Sequence, residues 1–232
     1  MSTNGKGKFY SVGAGPGDPK LLTVLAIETI KNCDIIAVPD SGAAENAVLK
    51  ITDAYLEGKK IVQCPMAMTR DKAELLRCHE ISTMMLSDYL EQGFDVAFLT
   101  LGDPTIYSTT MYVHKKLKKM GYDTHVVSGV PSFCAVAATL DIPLCEGGEA
   151  LHVIPASYGG TADALEFSGN KVLMKSGKSI CKIKDKIDTE RFDAMAVERC
   201  GMEGQRIHYS LDTIDENSSY FSVLIVKEKT ND

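Results

Sequence analysis

Short apolar runs and stretches of helical periodicity alternate through the first part of the chain. Residues 9–12 read as a buried strand. Asp18-Pro19 then opens a helix, with Leu21, Leu22, Leu25 and Ile30 as its apolar stripe. Residues 33–39 form a second short strand, and a helix over 43–56 ends at Gly58. Residues 59–65 form a third strand, followed by a long helix over 72–92 that Gly93 closes. "DVAFLTLGDP" is nearly continuously apolar, as in a parallel strand covered on both faces. A helix over 105–120 follows, then a strand over 123–129, a short helix over 132–140 and an irregular connection over 141–150. The pattern then restarts with more strands: "ALHVIPAS", "NKVLMKSGK", "DAMAVERCGMEGQRIHYSL" and "SYFSVLIVKEK", the last an apolar strand at the C-terminal edge. The alternation predicts an α/β protein with two α/β domains, residues 1–145 around a parallel sheet and residues 146–232.

Two turns stand out. In "FYSVGAGPGDPKLLT" a strand meets a glycine-rich turn and then a helix, which invites comparison with a dinucleotide-binding loop. The third glycine of that fingerprint is missing, because Asp18 holds its place. A carboxylate there competes with pyrophosphate for the N–H groups of the helix start. No Gly-Lys-Ser/Thr follows, which excludes a P-loop. A tight turn capped by Asp18 and a loop shaping some other cleft both remain open. "FLTLGDPTIYST" repeats the form, with Gly102 for the bend, Asp103 as cap and Pro104 after it. The C-terminal ends of parallel strands border the cleft of an open α/β sheet, so Asp103 is either a cap or a ligand contact.

Composition narrows the class. With 44% apolar and 24% charged residues the chain is an ordinary globular protein, and it has no apolar run of membrane-spanning length. The start "MSTNGKGK" has no apolar signal stretch, and the seven cysteines are scattered with no CxxC pair. Reduced thiols and a cytoplasmic location are expected. A net charge of -6 disfavours nucleic acid as a partner. His79, His114, His125, His152 and His208 do not cluster, so no metal site is expected.

Taken together, "VGAGPGDPKLLTVLAIETI", "FLTLGDPTIYST", "VVSGVPSFCAVAATLDIPL" and "KVLMKSGK" have the order and spacing of the tetrapyrrole methylases, the class III S-adenosylmethionine methyltransferases. The resemblance covers almost the whole chain. Within the family, "TLGDPTIYSTTMYV", "SGVPSF", "DIPLCEGGEALHVIPA" and "VLMKSGK...VERCG" look like the C20-methyltransferases of precorrin-2 or cobalt-factor II in cobalamin synthesis. A C11 or C17 methylase, or a diphthine synthase-like enzyme, is the alternative. The chain departs from the family pattern at Ser128, where proline is usual, and at Pro131, where Thr or Ser is usual, so a hydroxyl contact at Pro131 is lost.

The resemblance implies two α/β domains with S-adenosylmethionine folded into the cleft between them, S-adenosylhomocysteine as product, and a homodimer. It places Leu101, Gly102 and Asp103 against the methionine part or ribose, with Ile106 and Tyr107 lining the same pocket. Pro131, Ser132 and Phe133 supply the next wall, Met174 meets the adenosine side, Arg199, Cys200 and Gly201 close the adenine pocket, and Pro16 lies at the base. The implied reaction methylates an electron-rich bridging carbon, so alignment matters more than a strong base; Tyr107 is the nearest candidate for a base, and no catalytic acid or base is assigned. The implied tetrapyrrole carries carboxylates. Lys175 and Lys178, in the basic run "KVLMKSGKSICKIKDK" with Lys171, Lys182, Lys184 and Lys186, are the expected substrate contacts. Arg70, Lys72 and Arg77 form a second basic group. Either run is otherwise a solvated face.

Overall fold

The computed structural model describes residues 5–40, 46–67, 69, 71–156, 160–177, 180–215 and 219–229. These form two compact units, dividing at Pro131 and Ser132. The sequence placed the boundary between 145 and 146. The division falls earlier because the helix after Pro131 packs on a strand of the second unit.

The first unit is a five-stranded parallel sheet. Its strands are β1 (Phe9–Gly13), β2 (Ile35–Asp40), β3 (Lys60–Pro65), β4 (Val96–Thr100) and β5 (Thr124–Val127), in the order β3-β2-β4-β1-β5. Alternation along each strand builds two cores. Ile35, Ala37, Val96 and Phe98 face α3 (Lys72–Glu91) and α4 (Thr110–Lys119). Ile36, Val38, Ala97 and Leu99 face α1 (Val24–Asn32) and α2 (Ala47–Thr52). β4 is buried at all five positions, as its continuous apolar run predicts.

Three helix boundaries differ from the sequence expectation. Asp18 does cap, accepting from Lys20 N at 2.9 Å, but it starts only a short 3-10 turn, and α1 begins after a second cap, Thr23. The helix expected over 105–120 begins at Thr110, because Tyr107 takes a left-handed backbone (φ 50°) that interrupts it. The one expected over 43–56 is helical from Ala47 and ends in a 3-10 turn; residues 43–45 lie outside the described set.

The second unit holds α5 (Ser132–Leu140), β6 (Leu151–Pro155), α6 (Thr161–Leu165), β7 (Asn170–Met174), α7 (Ile180–Lys184), β8 (Phe192–Glu198), β9 (Arg206–His208) and β10 (Ser222–Glu228). The sheet order is β6-β7-β10-β8-β9, with β6 and β7 parallel and the remaining pairs antiparallel. The last strand is thus central in its sheet rather than at an edge. Its run Val223–Val226 is fully buried, which requires neighbours on both sides and cover on both faces. The stretch expected as a third strand is a hairpin of β8 and β9, folded at residues 199–205.

Candidate active site

Within the first unit, β1 and β4 lie side by side, yet the chain after β1 goes to one face and the chain after β4 to the other. That divergence is the topological switch point of an open sheet, where a crevice opens outside the strand ends. Both Gly-Asp-Pro turns stand there, and they touch. Gly15 and Gly102 exchange backbone hydrogen bonds, Gly102 N donating to Gly15 O at 2.7 Å and Gly15 N to Gly102 O at 3.2 Å. The turn after β5 joins them. A Cβ on Gly13 would stand 2.6 Å from Gly102 O and from Gly129 N, so only glycine permits this approach.

Asp103 is 7% exposed, and both carboxylate oxygens serve the protein. Oδ1 accepts from Thr105 N at 2.7 Å and from the Thr105 hydroxyl. Oδ2 accepts from Gly129 N at 3.0 Å. Thr23 Oγ1 donates to Ser128 O at 3.2 Å while capping α1 through Ala26 N. The unusual Ser128 enters this arrangement through its carbonyl, which any residue there would supply. The unit therefore brings Pro16, Leu101, Gly102, Asp103, Ile106 and Tyr107 to one sheet end, with Pro131 following the β5 turn. Tyr107 is 43% exposed on its left-handed backbone.

In the second unit, Met174 and Val197 both pair with Val223, so the segments after β7 and β8 flank the start of β10. Lys175 and Arg199 open those segments, and each is left-handed, at φ 57° and φ 51°. Such a backbone is strained for a side-chain-bearing residue and tends to persist at functional sites. Arg199 Nε donates to Glu203 O at 2.7 Å, and Gly201 N to Gln205 Oε1 at 2.7 Å. Cys200 stands 3.4 Å from the Thr139 hydroxyl of α5, which Ser132 and Phe133 begin. Beneath the turn, Glu198 is 1% exposed. Its carboxylate accepts from Arg206 at 2.8 Å and from Ser219 N at 2.9 Å, and lies 3.0 Å from His208 Nε2. The sequence reading missed this network and the glycine contacts, since they join residues far apart in the chain.

Among the described lysines of the basic run, Lys171 and Lys184 are held by backbone carbonyls of the protein. Lys171 is fully buried, donating to Gly169 O at 2.7 Å over the Phe192 ring, and burial lowers its pKa. It lies in β7, which is buried at all five positions, so both faces of the strand are covered there. Lys184 donates to Ile214 O at 3.0 Å. Lys175 is half-buried, and burial lowers its pKa too. Lys178 and Arg70 lie outside the described residues. A cavity in this unit lined by Glu149, Asn170 and Glu228 opens at the other end of β7 from Met174. Among the described residues no group of three or more His, Cys, Asp and Glu could hold a metal ion. Among them too, no helix is long and apolar enough to cross a membrane.

The chain belongs to the tetrapyrrole (corrin/porphyrin) methylase family, whose pattern matches residues 8–215. It is 36% identical over 227 residues to the probable cobalt-precorrin-2 C(20)-methyltransferase of Methanocaldococcus jannaschii, covering 95% of this chain and 96% of that one. It is 26% identical over 240 residues to the precorrin-2 C(20)-methyltransferase of a Sinorhizobium species, covering 97% of each. The fold matches the uroporphyrin-III C-methyl transferase of Thermus thermophilus complexed with S-adenosylhomocysteine, with TM-score 0.72, 20% identity, and 95% and 97% of the two chains covered.

Proposed function

We propose that the chain is a methyltransferase of cobalamin synthesis that moves the methyl group of S-adenosylmethionine to C20 of precorrin-2 or its cobalt form. The observation that carries this is the end-to-end likeness to C20-methyltransferases. The loops also suit the donor. A dinucleotide needs N–H groups free at the helix start. Here the carboxylates of Asp18 and Asp103 hold the N–H groups of their turns. That arrangement repels phosphate and favours a ligand without phosphate that carries a sulfonium and an ammonium.

S-adenosylmethionine supplies an electrophilic methyl; the sulfur–carbon bond breaks as the C20–carbon bond forms, and C20 later releases its proton. The chain's contribution is placement. The resemblance assigns Leu101, Gly102 and Asp103 the donor's methionine part or ribose, with Ile106 and Tyr107 lining the same pocket and Pro16 at its base. It assigns Pro131, Ser132 and Phe133 the next wall, Met174 the adenosine side, and Arg199, Cys200 and Gly201 the adenine pocket. Lys175 and Lys178 meet substrate carboxylates. Holding donor and acceptor in line can supply roughly 7–11 kcal/mol in favourable cases. The family resemblance supports a homodimer, the scattered cysteines support a cytoplasmic location, and the net charge of -6 and lack of a long apolar run support the absence of nucleic-acid and membrane partners.

Calorimetry with S-adenosylhomocysteine tests the donor: binding is expected, and binding of NAD or ATP in its place overturns the reading. Light scattering tests the dimer, where the mass of a single chain overturns it.

A further inference from the structure

We propose that Asp103 is a positioning residue for the methyl donor, acting by closing a ring of three loops. This rests on the donor reading above. Each side of the ring is one observation. The loop after β1 meets the loop after β4 through the Gly15 and Gly102 backbones. The loop after β4 meets the loop after β5 through Asp103 Oδ2 and Gly129 N at 3.0 Å. The loop after β5 returns to the first through Ser128 O and Thr23 Oγ1 at 3.2 Å.

Two sides close where no Cβ fits: one on Gly129 would collide with Gly102 O, and one on Gly13 with both neighbours. The third loop has no such backbone exchange with the second, so the Asp103 carboxylate does that work. Its other oxygen is taken by Thr105, which fixes the carboxylate's direction. Oδ1 accepts two hydrogen bonds and Oδ2 one, so the ring is held without using every acceptor site of the carboxylate.

The test compares Asp103→Asn, Thr105→Ala and Thr23→Ala. In Asp103→Asn the amide cannot accept at both oxygens, and it leaves either Gly129 N or Thr105 N facing a donor. An unsatisfied buried donor is worth about tenfold or more in a linked equilibrium. The expected result is that S-adenosylhomocysteine affinity by calorimetry, and KM for S-adenosylmethionine, weaken about tenfold. kcat at saturating donor and KM for the tetrapyrrole stay within about twofold. Thr105→Ala and Thr23→Ala leave the carboxylate in place, yet they weaken the donor in the same direction by a smaller factor. Donor affinity unchanged in both threonine variants overturns the proposal, whatever Asp103→Asn does, and that comparison stands even if Asp103→Asn fails to fold. Should the unaltered protein fail to bind S-adenosylhomocysteine, the donor reading itself falls; if it binds and the variants bind alike, only the ring proposal falls.

Discussion

At the residue scale, the left-handed non-glycine residues separate by purpose. Asp141 ends α5, where Ile142 N donates to Ala137 O, an ordinary helix stop. Tyr107, Lys175 and Arg199 instead stand in the segments read as the donor site. Each costs about 1–2 kcal/mol relative to glycine. Lys175→Gly is therefore expected to raise Tm by a few degrees, about 2–4 °C per kcal/mol for a chain of this size, while lowering methyl transfer. Thermal melts and initial rates check it, and a fall in both would show that Lys175 is simply structural. The cysteines divide in the same way. Burial raises the Cys33 and Cys64 thiols to about 12, whereas Cys134 and Cys145 are exposed. Alkylation of the native protein with iodoacetamide, mapped by mass spectrometry, should label Cys134 and Cys145 early and Cys33 and Cys64 last.

At the scale of elements, the strands were legible because burial on both faces leaves continuous apolar runs, and β4 and β10 show it. The turns were legible from Gly-Asp-Pro, since glycine and a capping carboxylate have few other uses before a helix. The start of α4 was not legible. "DPTIYSTT" scans as the beginning of a helix, and the left-handed Tyr107 that delays it answers to its surroundings rather than to propensity. The Gly13, Gly102 and Gly129 contacts were equally hidden, because they join three loops distant in sequence. They carry a prediction: Gly129→Ala should destabilise the fold by about 1–3 kcal/mol through overpacking against backbone, measured by denaturant melts. A Gly129→Ala variant as stable as the original would contradict the packing described. α3 and α4 add a pH dependence. His114 lies 3.0 Å from the Ser11 hydroxyl and His79 stacks on Tyr112, and burial lowers both pKa values below the usual 6.5, helped by Lys118 and His125 at His114 and by Lys116 at His79. Above pH 6.5 both states hold neutral rings. As pH falls below it, the unfolded chain takes up protons that the folded chain resists, so stability falls toward acid. His114→Gln should flatten that slope between about pH 6.5 and 5, and an unaltered slope would remove His114 as its cause.

At the scale of the whole molecule, the family was legible from motif order and spacing, since Gly-Asp-Pro turns at two strand ends and "SGVPSF" after a third leave few alternatives. The substrate-binding side was less so. Charge runs do not report burial, and Lys171 shows why: it lies in β7, which is buried at all five positions. If Lys175 and Lys178 meet substrate carboxylates, KM for the tetrapyrrole should rise with ionic strength, and a salt-independent KM would remove them from that role. The central claim is methyl transfer to C20. Incubating the protein with S-adenosylmethionine labelled with carbon-13 at the methyl group, and with precorrin-2 or cobalt-factor II, puts it to the test by NMR of the product. The account predicts one labelled methyl on C20; label at C11 or C17, or none on either ring, would contradict it.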